Sequence, residues 1–90
     1  IKIEGIEYGE NVRYTYFLLD YFDPKTGLSS MARTTGFTCA SAARMVLETN
    51  FDAKGVFPPE LLAKDIHNTH FILERLKTHN VAFEVERTVI

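Results

Sequence analysis

The chain has 90 residues, enough for one domain with a modest core, and 46% of them are hydrophobic against 24% charged. A formal net charge of -2 lacks the clustered basic face of a nucleic-acid binder and the polybasic patch of a membrane-surface protein. No apolar run approaches the roughly 20 residues that a bilayer span needs, so neither nucleic acid nor membrane is an expected partner.

Ile1, Ile3 and Gly5 alternate with Lys2, Glu4 and Ile6, a strand pattern. The chain opens at Ile1 directly in that pattern, which reads as a piece of a longer protein. Tyr8-Gly9-Glu10-Asn11 supplies turn residues, and Val12–Tyr21, rich in Tyr, Phe, Leu and Val, reads as a second strand. Both faces of that strand are apolar, so it sits mid-sheet or against a partner. Asp23-Pro24-Lys25-Thr26-Gly27 is a tight-turn sequence, with Leu28–Arg33 expected to return as a third strand.

A first helix is expected from Gly36 to Thr49, with Ala40, Ala43 and Leu47 on one stripe. Pro58-Pro59-Glu60 opens a short helical turn, since proline is welcome in a first turn. Asp65 caps a further helix that ends near His79, with Asn80 closing it in the left-handed conformation. Val81, Phe83 and Val85 alternate as a last strand. The expected fold class is α+β: an antiparallel β-meander, then helices packed on one face, then a final strand (β-β-β-α-α-β), all in one domain, 1–90. No Gly-x-Gly-x-x-Gly stands between a strand and a helix, so a complete dinucleotide-binding unit is excluded.

The stretch Met31-Ala32-Arg33-Thr34-Thr35-Gly36-Phe37 is the most suggestive chemically. Read as the point where an extended segment enters a helix, it joins an arginine and two hydroxyls to unpaired backbone N–H groups and a partial positive charge. That combination suits a carboxylate or phosphate. The ordinary alternative is that a threonine caps the helix and Gly36 permits a close approach. His67 and His70, spaced i, i+3, fall short of the four protein ligands usual in a structural zinc site and read as a solvated face. Cys39, the only cysteine, excludes an internal disulfide, fits a reducing cytoplasm, and reads as a buried small hydrophobe. The four tyrosines Tyr8, Tyr14, Tyr16 and Tyr21 read as half-buried packing residues or a partner interface, and Glu84 and Glu86 as solvated.

Three segments together carry a family likeness: Met31–Phe37, the helical Ala42-Ala43-Arg44-Met45, and Gly55-Val56-Phe57-Pro58-Pro59-Glu60. In that order they resemble the C-terminal part of saccharopine dehydrogenase-like oxidoreductases, over nearly the whole chain. The resemblance implies a two-part enzyme in which an N-terminal Rossmann half binds NAD or NADP. The α+β half then supplies substrate contacts and a dimer interface. The reaction makes or breaks a C–N bond of an amino acid, in lysine and saccharopine metabolism, with hydride moving to or from the nicotinamide. On this likeness Arg33, Thr34, Thr35 and Gly36 line the substrate or cofactor side of a cleft, with no catalytic residue, no metal and no cofactor held by these residues themselves. The partners implied are the chain's own Rossmann half and a second copy in a homodimer. The rival expectation is a stand-alone interaction or homodimerisation module, using the aromatic segment Val12–Phe22.

Overall fold

The first hairpin is set by its two-residue turn. In the computed structural model, which describes residues 1–90, Tyr8 and Gly9 have φ of 51° and 84°. Positive φ at both central positions is the type I′ geometry, whose twist matches that of paired strands. It brings Glu7 opposite Glu10 and fixes the register of β1 (Lys2–Glu7) on β2 (Glu10–Phe17), with Ile3 opposite Tyr14 and Gly5 opposite Val12. The third strand of the sheet, β3 (Glu84–Val89), comes from the far end of the chain and pairs antiparallel with β2, placing Val85 opposite Tyr16 and Val89 opposite Val12. The sheet order is β1-β2-β3. Alternation gives one face Ile3, Tyr14, Tyr16, Val85 and Val89 and the other Lys2, Glu4, Arg13, Glu84 and Glu86.

Between β2 and β3 lie α1 (Ser30–Glu48), the single turn α2 (Pro59–Leu62) and α3 (Ile66–Thr78). Strands first, helices next and a strand last is the α+β order expected from the sequence. The boundaries moved in three places. Leu28–Arg33 is not a strand: the turn is closed by the Asp23 N–H donating to the Leu28 carbonyl at 2.9 Å, an isolated bridge, and helix begins at Ser30. The cause is Ser29, whose hydroxyl accepts from the Ala32 N–H at 3.1 Å and so caps a helix six residues earlier than the Gly36 start. Strand β2 ends at Phe17 rather than Tyr21, because Asp20 is drawn to α1. Strand β3 starts at Glu84, since Val81 is consumed in closing α3.

That closure is a Schellman motif. Asn80, at φ 61°, donates to the Lys77 carbonyl, and Val81 donates to the Leu76 carbonyl, both at 3.0 Å. Leu76 and Val81, the two positions whose apolar side chains usually meet in this motif, are both buried. Helices α1 and α3 pack on each other, and Met45, wholly inaccessible, completes this small core with them. Only six of the 90 residues are buried. The radius of gyration is 15.2 Å, against about 12 Å for a compact domain of this length.

Tyr8 is the one strained aromatic: 98% exposed and held at positive φ. A left-handed non-glycine residue costs about 1 kcal/mol or more, and asparagine tolerates it best. Tyr8→Asn should therefore raise the melting temperature by roughly 4–8 °C, measured by circular dichroism. Gly9→Ala should lower it.

Candidate functional site

Arg33 organises the only buried ionic site in the chain. It lies one turn inside α1 and is 8% exposed. Its Nε donates to Asp20 Oδ2 at 3.2 Å and its Nη2 to Asp20 Oδ1 at 3.4 Å, a two-pronged pair. Nη1 donates to Asp23 Oδ2 at 3.4 Å, and Nη2 also donates to the His79 carbonyl at 3.1 Å. The His79 ring stacks on Phe37 with centroids 4.3 Å apart and planes 10° off parallel, while the Arg33 guanidinium lies 5.6 Å from the Phe37 centroid. One side chain thus ties the loop after β2, the start of α1 and the end of α3.

The loop itself is prepared for this. Asp23 Oδ1 accepts from the Lys25 N–H at 3.0 Å and Oδ2 from the Thr26 hydroxyl at 2.9 Å, and Gly27 takes φ 73° to close the turn. The Lys25 N–H, then the Thr26 hydroxyl, hold the Asp23 carboxyl below the usual carboxylate range. Beside the clasp is a shallow concavity of about 370 Å³, lined by Tyr21, Phe22, Lys25 and Asn80 together with Asp20, Asp23 and Arg33.

The sequence placed Arg33, Thr34, Thr35 and Gly36 at a helix start. The structure places them in the first two turns, where the Arg33 N–H already donates to the Ser29 carbonyl at 2.9 Å. Their backbone donors are therefore not an anion seat. The Thr34 hydroxyl turns back to the Ser30 carbonyl at 3.0 Å, which is how a β-branched polar residue settles inside a helix. Thr35 and Gly36 are exposed on the opposite side of α1 from the clasp's neighbours Phe37, Ser41 and Met45. A Cβ on Gly36 would meet nothing within 4 Å, so no close approach inside this chain requires glycine there. Cys39 is exposed, not buried, because it shares that outer stripe with Gly36, Ala40 and Ala43. Nothing in the sequence marks Asp20, Asp23 and His79 as partners of Arg33. Their link to Arg33 spans up to 46 residues and leaves no local signal.

A second network was likewise invisible. On the apolar face of the sheet, Arg87 Nε donates to Glu7 Oε2 at 2.8 Å and the Tyr14 hydroxyl donates to Glu7 Oε1 at 2.9 Å. Arg87 first, and Tyr14 second, hold the Glu7 carboxyl below its ordinary range. Donation to that carboxylate pushes the Tyr14 phenol up. His67 and His70 are both exposed, the His67 ring lies 2.9 Å from the helix-capping Asp65, and no cluster of three or more His, Cys, Asp or Glu is arranged to hold a metal ion.

Two outcomes follow for these residues. Gly36→Ala should stabilise the isolated chain by about 1 kcal/mol, since the site is helical, exposed and roomy, as read from urea denaturation. Glu7→Gln should open a stability gap from wild type that is widest between the ordinary Glu and Tyr pKa values. A depressed carboxylate contributes in full above its unfolded pKa, and that contribution is lost as pH falls through the folded value. A raised phenol contributes in full below its unfolded pKa and is lost as pH rises through the folded value. The gap should therefore narrow on both sides, below about pH 4 and above about pH 10.

Comparison with known proteins points to one family. Residues 1–81 match the family described as Saccharopine dehydrogenase C-terminal domain. Alpha-aminoadipic semialdehyde synthase, mitochondrial, of Mus musculus is 38% identical over 63 residues, covering 70% of this chain and 6% of the relative. The Rattus norvegicus and Bos taurus proteins of the same name are each 36% identical over 63 residues, with the same coverage. The chain thus spans 6% of the length of these curated relatives. No solved structure matches it. No helix is long and apolar enough to cross a membrane. With the family pattern running through nine-tenths of its residues, the chain belongs to the saccharopine dehydrogenase C-terminal domain family.

Proposed function

We propose that this chain is the substrate-side part of a saccharopine dehydrogenase-like, NAD(P)-dependent oxidoreductase. Its reaction class is oxidation or reduction at a C–N bond of an amino acid, in lysine and saccharopine metabolism. The observation that carries this reading is the family match across residues 1–81. The name of its relatives, alpha-aminoadipic semialdehyde synthase, supports the amino-acid setting.

In this reading the cofactor belongs to a Rossmann half elsewhere in a longer polypeptide. The residues present do not fit a dinucleotide: α1 starts on a Ser29 cap with no Gly-x-Gly-x-x-Gly before it, and the Arg33 guanidinium is committed to two carboxylates. These residues contribute shape. Arg33 positions the loop Leu19–Asp23 beside the concavity, and Thr35 and Gly36 present a small, polar patch of α1 to the cleft between the halves. The apolar surface left open on the sheet and on α1 supports a homodimer contact as well. An exposed lone thiol at Cys39 suits a reducing compartment: the cytoplasm, or the mitochondrion of the relatives' names.

A second reading is favoured by the exposed Phe17, Leu19, Tyr21 and Phe22: a homodimerisation or interaction module without a catalytic partner domain. The two readings separate on the parent reading frame, where the enzyme requires a glycine-rich strand–helix unit and the module does not.

The enzyme reading makes two measurable statements. Titrated with NADH or NADPH, the 90-residue chain alone should show no binding in the micromolar range. Tight binding there would overturn the division of labour. In the full-length enzyme, Thr35→Val should raise KM for the amino-acid substrate about tenfold, the worth of one lost hydrogen bond, with kcat changed less. Unchanged kinetics would remove Thr35 from the cleft.

A further inference from the structure

No further inference is drawn: the strongest candidate, the apolar face of the sheet that carries Ile3, Tyr14, Tyr16, Val85 and Val89, is exposed along its two edge strands, and nothing in the structure shows what covers it.

Discussion

A guanidinium taken out of water is costly unless its donors are matched, and Arg33 is the place where this chain meets that constraint. Four hydrogen bonds go to three acceptor residues, and each acceptor belongs to a different step of the chain path: Asp20 as β2 is left, Asp23 in the turn, His79 at the end of α3. The arrangement fixes the angle at which the helical pair leaves the sheet. It also decides local structure upstream. Strand β2 stops at Phe17 because Asp20 is needed at the clasp, and the turn at Asp23 is stiffened by its own bonds to Lys25 and Thr26. With two carboxylates around one guanidinium, the corner has no spare positive charge from Arg33 to offer a ligand. Its contribution to a cleft is therefore positional.

The rest of the molecule is short of cover. Its accessible surface is 7144 Å², where a compact chain of the same mass exposes about 5,400 Å². The excess is about twice what one partner contributes to a standard-size interface, about 800 Å². It is spread over the sheet edges at Ile3, Val85 and Val89, the segment Phe17–Phe22, and the outer stripe of α1 ending at Leu47. Small residues at Gly36, Cys39, Ala40 and Ala43 would let another element lie close along that stripe. Such a surface accords with a domain that works against a further half and a second copy, as proposed.

Much of this fold was legible because it is written in short-range chemistry. Asp65 as a cap, Asn80 as a left-handed terminator, Pro59 at a first turn and Tyr8-Gly9 as a hairpin turn each act over a few residues. The start of α1 is set by chemistry of the same short range. Ser29, followed by the helix formers Met31, Ala32 and Arg33, is itself a start signal, and the turn-like Thr-Thr-Gly is a competing one further along. Hydroxyls bonded back to carbonyls, as at Thr34 and Thr38, let the helix run through it. The partners of Arg33 and the Glu7–Tyr14–Arg87 network depend on contacts up to 80 residues apart. Nothing periodic announces them. The family likeness was legible because three separated segments keep their order, and it carried the function further than any single side chain did.

The most direct measurement is a double-mutant cycle between Arg33 and Asp20, with stability read from denaturant unfolding. Arg33→Ala should cost about 3 kcal/mol, since a buried carboxylate loses its counter-charge. Asp20→Ala should cost a comparable amount. Combining the two should cost little more than either alone, giving a coupling of about 2 kcal/mol. Costs that simply add would mean that the two side chains act independently, and the clasp would not be what holds the corner together.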